Sequence, residues 1–344
     1  MRDRLLGPGA FRLMLAMAVF LQHLSSFAIG SAAVYIFFVL SGFWIHRMWA
    51  TRYERARSPY LTYVVSRFWR LAPTFALISL ITLLGMLALG TRVEALAKGD
   101  APLHTLISHI VMLGYNSLST KMIAPAWSLD IEMQFYVVAP LLIAAIRRWP
   151  RAAFASVAVI GASASLLVGK AGLASFLPFF GLGILASHAD WRPSDRLVRR
   201  SAFAGILGIL VVVASPWRGI LLGGAAPGPL FVWNDAANVL IAISAAPYAI
   251  WTTSRPADAS DRAAGDLSYI VYLLHWIAVK WQAQFTGGYG ERLPFVMTAV
   301  VATLFVALVI LLFFDRPINR ARARWVERRL TNEAGPTPKY AMAE

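Results

Sequence analysis

Apolar runs of roughly 17 to 25 residues, separated by short arginine-bearing segments, follow one another along almost the whole chain, which is the pattern of successive membrane-spanning helices. Eleven such stretches stand out, near 11–28, 32–49, 71–90, 104–118, 127–146, 152–169, 172–187, 201–215, 235–253, 267–284 and 294–314. The stretch 104–118 is short and carries His104, His109 and Asn116, so it reads as an interfacial or re-entrant helix. Ten spans remain. The pattern predicts an all-α, polytopic integral membrane bundle.

The basic residues orient this bundle, because Lys and Arg concentrate in cytoplasmic loops. With Arg2, Arg4 and Arg12 inside, every second crossing lands on arginine: Arg47 to Arg70, then Arg147, Arg148 and Arg151, then Arg192 to Arg200, and finally Arg316 to Arg329. Counting 104–118 as a span would put every later cluster outside. Ten spans with both termini cytoplasmic is therefore the expected topology. The membrane domain is expected to cover 1–330, with 331–344 (TNEAGPTPKYAMAE) a disordered cytoplasmic tail.

Composition agrees. Of 344 residues, 58% are hydrophobic and 14% charged, far too apolar for a soluble domain of this length. The net charge of +15 and a pI near 10.6 do not point to nucleic acid, because the cations fall in clusters between spans and form no single patch. There is no cysteine, hence no disulfide framework, thiolate metal site or cysteine nucleophile. The first apolar stretch lacks a small-residue cleavage site in the usual place and reads as a retained span. The Gly- and Pro-rich segment within 216–234 (GGAAPGP) reads as an irregular loop.

Candidate chemistry sits where spans carry polar groups. Residues 35–47 (YIFFVLSGFWIHR) hold Ser41, Gly42, His46 and Arg47, costly inside a bilayer unless they line a cavity or pair. A contact of small residues between two helices is the alternative for Ser41 and Gly42. In the first span Arg12 and His23 are eleven residues apart, close to three helical turns, so they share a face about 16 Å apart along the axis. That face offers an anion anchor and a histidine whose ordinary pKa suits general base work. Arg67 and Arg70 lead into the third span and, with Arg47, form a basic mouth on the cytoplasmic side. Glu132 falls about one turn into its span from the opposite side, with Asp130 and Gln134 nearby. Ser268, Tyr272 and His275 share a helical face and suggest a polar lining. His104 and His109, five apart, do not align for a metal, and no metal is expected.

These segments occur in a recognisable order: Arg12 and His23, FFVLSGFWI (37–45), SRFWRLAP (66–73), WSLDIEMQFY (127–136), LSYIVYLLHW (267–276) and DRP (315–317). Together they resemble the acyltransferase 3 family of membrane acyltransferases. The resemblance implies transfer of an acyl group, commonly acetyl, from cytoplasmic acyl-CoA to a hydroxyl of a sugar or glycolipid at the membrane. It implies that His23 is the essential catalytic residue, with Arg12 in the same motif; Glu132, the second catalytic candidate, is read from its own position as pairing with an arginine or histidine or holding an acceptor hydroxyl. The arginine forks at Arg12, Arg47, Arg67 and Arg70 then suit the phosphates of the acyl-CoA donor. Ser41, Tyr272 and His275 complete the polar lining. Two positions depart from the family pattern: Met133 replaces a frequent second glutamate, and Ile277 replaces a proline after His275 and Trp276. The expected partners are a carbohydrate or glycolipid acceptor and membrane lipid, without nucleic acid, in the plasma membrane of a bacterium. A transporter and a non-catalytic partner in a polysaccharide assembly complex are the rival classes; no inverted repeat or matched pair of broken helices supports the former.

Overall fold

The computed structural model describes residues 7–88, 90, 99–169, 172–223, 227–282 and 289–330, without the side chains of 289–292. The expected tail, 331–344, lies outside the described residues, as do Arg2 and Arg4. Among the described residues the chain forms twelve α-helices, joined by short 3-10 turns, and its only β feature is an isolated bridge between Phe27 and Leu222. The helices are α1 (Pro8–Leu24), α2 (Gly30–Thr51), α3 (Pro59–Ala88), α4 (Pro102–Val111), α5 (Trp127–Arg148) and α6 (Pro150–Leu167). They continue as α7 (Leu177–His188), α8 (Asp195–Ala214), α9 (Asn234–Thr252), α10 (Ala259–Gln282), α11 (Tyr289–Ile310) and α12 (Arg316–Leu330).

Each of the ten expected spans coincides with a helix. Seven helical stretches, those built on α2, α3, α5, α6, α8, α9 and α11–α12, are long and apolar enough to cross a membrane, while Pro8–Leu24 and Leu173–His188 are shorter apolar helices. The protein is a polytopic helical membrane protein. Within the 216–234 segment 3-10 turns occupy Pro216–Ile220 and Pro229–Trp233, and the centre of the expected irregular loop, 224–226, lies outside the described residues.

The third span needs the largest correction. Its apolar window starts at 71, yet α3 begins at Pro59, twelve residues earlier, with that proline at the helix start. The window rejects Arg67 and Arg70 on hydropathy. The helix accepts them because each finds a polar partner on a packed neighbour.

Helix α4 has ten residues, about 15 Å at 1.5 Å per residue, and so cannot span a hydrocarbon core of about 30 Å. It stops at Met112, which adopts a left-handed conformation, as does Gly114 two residues on. Its face of Leu103, Leu106, Ile107 and Ile110 is exposed, while Ser108 and His109 are buried. This is the layout of an interfacial helix. His109 donates Nδ1–H to the Thr105 carbonyl at 2.7 Å and meets the Tyr115 ring edge-on at 4.9 Å. Burial lowers its pKa below the ordinary 6.5, only partly opposed by that hydrogen bond. The unfolded chain then binds a proton more readily than the folded one, so the His109 contribution to stability is full above pH 6.5 and falls away at lower pH. Tm in detergent should drop between pH 7 and 5, and His109→Phe should reduce that drop.

The chain divides into two compact units. The first comprises residues 1–44 and 179–272, the second 45–178 and 273–344, so the division passes within α2 and α10.

In the first unit α2 and α7 cross with almost no space between their backbones. A Cβ on Gly42 would overlap the Phe180 carbonyl, and one on Gly183 would overlap the Val39 carbonyl. Glycine is required at both positions for this close approach. Around them Phe38 packs on Phe180 at 4.6 Å, Tyr35 stacks on Phe179 at 4.7 Å, and Val39, Phe43, Ala186 and Ile250 form a buried core. Gly183→Val should cost about 3 kcal/mol or more, because backbone rather than a flexible side chain must yield. The expected result is loss of the monodisperse peak in fluorescence-detected size-exclusion chromatography.

In the second unit α3 is the central element, packed by α4, α5 and α12. Trp69 of α3 lies against Trp325 of α12 at 5.9 Å, and Arg57 N–H donates to the Arg329 carbonyl. A five-residue π turn, Leu311–Asp315, links α11 to α12. Asp130 anchors the α4–α5 connection by accepting the backbone N–H groups of Gly114 and Asn116 and the side-chain amide of Gln134.

Candidate active site

Helix α1 carries Arg12 and His23, and its start is held by a carboxylate. Asp261 accepts the N–H of Gly9 at 3.0 Å and of Ala10 at 2.9 Å, satisfying two of the open donors of the first turn. The negative charge also complements the helix dipole. Arg12 is half-buried and its guanidinium lies 6.0 Å from the Trp44 ring, within cation–π range. His23, half-buried, stands in the last turn.

The segment that leads from α1 into α2 is densely tied down. Gln22 accepts the Gly30 N–H, Ala28 N–H donates to Leu221, and Gly223 N–H donates to Ser26. From α9, Asn234 and Asn238 both donate to the Ala28 carbonyl, at 2.9 and 3.0 Å, while fully buried Asn238 accepts the Ala32 N–H at 2.9 Å. Asp235 accepts the Tyr35 hydroxyl at 2.7 Å. The turn that carries the chain out of α1 is therefore clamped, and with it the end of the helix that presents His23. Sequence reasoning overlooked Asn234, Asp235 and Asn238. Their signal was available: three polar residues, two of them a helical turn apart, heading an otherwise apolar helix.

Ser41 is buried in the same unit. Its neighbour Gly42 is a helix-crossing residue, so the small-residue alternative holds for Gly42. Tyr272, also buried, meets Phe37 edge-on at 6.3 Å. Ser268 donates to the Gly265 carbonyl within its own helix.

The second unit holds Arg47, Arg67, Arg70, Glu132 and His275. Arg47 is exposed, whereas His46 beside it is buried. His275 is fully buried. Arg67 does not line an open mouth: it is buried, donates to the Tyr53 hydroxyl at 2.7 Å and lies over the Tyr53 ring. The Tyr53 and Ser66 hydroxyls are 2.9 Å apart, and Ser66 also takes a hydrogen bond from buried Arg322 of α12 at 3.1 Å. Arg70 forms an ion pair with buried Asp315 at 3.2 Å; Asp315 also accepts Thr74 and Asn319, each at 2.8 Å. The aspartate of the DRP segment thus fastens α12 to α3, a role the motif by itself did not reveal.

Glu132 is the second correction. The span boundaries put it near one membrane face and Arg67 near the other. The contacts bring them to one cluster: Glu132 accepts the Tyr136 hydroxyl at 2.7 Å, Tyr136 meets Tyr63 at 6.4 Å, and Tyr63 meets Tyr53, the partner of Arg67, at 5.4 Å. The early start of α3 is the reason, since it moves residues 59–70 from a surface loop into packed helix. Among the described residues no three His, Cys, Asp or Glu side chains come together to hold a metal ion.

In the first unit the clamped helix α1 presents His23, and in the second Arg67, Tyr53, Tyr63, Tyr136 and part-exposed Glu132 form a polar and aromatic cluster. The family model described as an acyltransferase domain, that of acyltransferase 3, matches residues 5–314, and the chain belongs to this family. It is a membrane acyltransferase. No curated protein and no solved structure matches the chain.

Proposed function

We propose that the protein is an O-acyltransferase that moves an acyl group, most simply acetyl, from cytoplasmic acyl-CoA to a sugar hydroxyl of an envelope or exported polysaccharide or its lipid-linked precursor, in the inner membrane of a bacterium. The observation that carries this reading is the family match over nearly the whole chain, which includes both Arg12 and His23 on one face of α1.

His23 removes the proton of the acceptor hydroxyl as its oxygen attacks the thioester carbonyl. The C–S bond breaks, CoA leaves as thiolate, and the imidazolium returns the proton to sulfur, giving ester and CoA thiol. A transient acyl-imidazole on His23 is the other route, in which the thioester acylates the ring before the hydroxyl attacks. The arginines contribute in different ways. Arg12 is the phosphate candidate of the first unit. In the second, exposed Arg47 meets an incoming anion directly, whereas Arg67 and Arg70 are already engaged by Tyr53 and Asp315 and supply field and preorganisation. Glu132, part-exposed beside Tyr136, is the candidate group for orienting the acceptor. Ser41, Tyr272 and His275 are candidate lining residues.

The reading is tested by following label from acetyl-CoA into the polysaccharide and lipid fractions of membranes containing the protein. Incorporation above membranes without it supports an acetyltransferase. Export of an unmodified glycolipid without acyl transfer would favour a transporter.

A further inference from the structure

Tyr63 differs from four other buried tyrosines. The hydroxyls of Tyr35, Tyr53, Tyr115 and Tyr136 each bond to a neighbour. Tyr63 is fully buried in the second turn of α3, and among the described residues its hydroxyl has no hydrogen-bond partner. Its ring is held from three sides, by Trp49 at 5.5 Å, Tyr53 at 5.4 Å and Tyr136 at 6.4 Å. The hydroxyl therefore cannot swing out to water without disturbing this aromatic cage. A buried, unbonded hydroxyl is costly, and packing that fixes it in place points to a use in a ligand-bound state.

The surroundings indicate the ligand. Arg67, one helical turn beyond Tyr63, lies over the Tyr53 ring that packs on Tyr63, and Glu132 is bonded to Tyr136 on another side of it. Glu132 is part-exposed, unlike the fully buried Tyr63. The nearby donors, Arg67 and the Tyr63 hydroxyl, suit an oxygen acceptor. The arginine-rich start of α3 is the end assigned to the cytoplasm by charge, where a CoA-linked donor arrives.

We propose that the Tyr63 hydroxyl donates a hydrogen bond to a carbonyl oxygen in the acyl-thioester arm of the donor. Tyr63 is then a substrate-binding residue whose hydroxyl waits unbonded in the resting enzyme. The inference rests on the acyl-CoA reading above.

Tyr63→Phe removes only this hydroxyl and leaves the aromatic cage. In purified full-length protein the variant should keep its Tm or gain about 1–3 °C, since an unsatisfied buried group is deleted. Binding of acetyl-CoA, measured by titration calorimetry in nanodiscs, should weaken about five- to tenfold, the worth of one neutral hydrogen bond. Tyr53→Phe is the contrast: its hydroxyl is bonded to Ser66 and Arg67, so that variant should lose Tm. A Tyr63→Phe protein with lowered Tm and unchanged affinity would make the hydroxyl structural and overturn the proposal, as would no change in either quantity. Absence of acetyl-CoA binding by the wild type would overturn the acyl-CoA reading itself and this inference with it.

Discussion

His23→Ala is expected to abolish acyl transfer, with a loss of about 10²–10⁴-fold if the imidazole acts as general base. Label from radioactive acetyl-CoA should enter the polysaccharide or lipid fraction with wild-type protein and stay near background with the variant, at matched protein levels. The fold should survive, because His23 occupies the last turn of α1 and is only half-buried. An unchanged Tm with lost transfer would place His23 in the chemistry. Equal incorporation by both proteins would remove it from the reaction. Wild-type protein that transfers no label would argue for a longer acyl donor or for the transporter class.

The second large effect is on stability. Asp315→Ala deletes a buried carboxylate that serves Arg70, Thr74 and Asn319 together, and it breaks the ion pair that joins Arg70 to it. Breaking a buried ion pair from one side costs about 3–5 kcal/mol; with Arg70 still 22% exposed, the lower end, about 3 kcal/mol, is expected. That corresponds to a fall in Tm of about 5 °C for a chain of this size. The cycle with Arg70→Ala separates the pair from its context, because the double variant should lose less than the sum of the single ones. Additive losses would show that Arg70 and Asp315 are not coupled.

Most of the helices were legible because a bilayer demands long apolar runs, and such runs are visible without knowing what they pack against. The start of α3 was not. Arg67 and Arg70 broke the apolar window, and partners outside the helix, Tyr53 and Asp315 among them, stabilise helix there. The same fact hid the meeting of Glu132 with the Arg67 cluster, since a position counted along one span says nothing of the neighbour at that depth. Motif order identified the family, and spacing alone placed Arg12 and His23 on one face. The clamp from Asn234, Asp235 and Asn238 was written in residues that no motif contained. Gly42 shows the opposite difficulty: its sequence context allowed both a site and a contact, and the Phe180 carbonyl decides for contact.

The π turn at Leu311–Asp315 makes the join between α11 and α12 a setting of phase. Taking one residue out of a helix rotates everything beyond it by about 100° relative to the part before it. A single-residue deletion within 311–314 would thus leave both helices intact and the composition almost unchanged, yet turn Asp315, Arg322 and Val326 away from α3. The arginines now facing outward at Arg320 and Arg324 would be swung round the helix instead. Four apolar residues and Asp315 act as the vernier of the second unit, and for the four apolar ones length counts for more than side-chain identity.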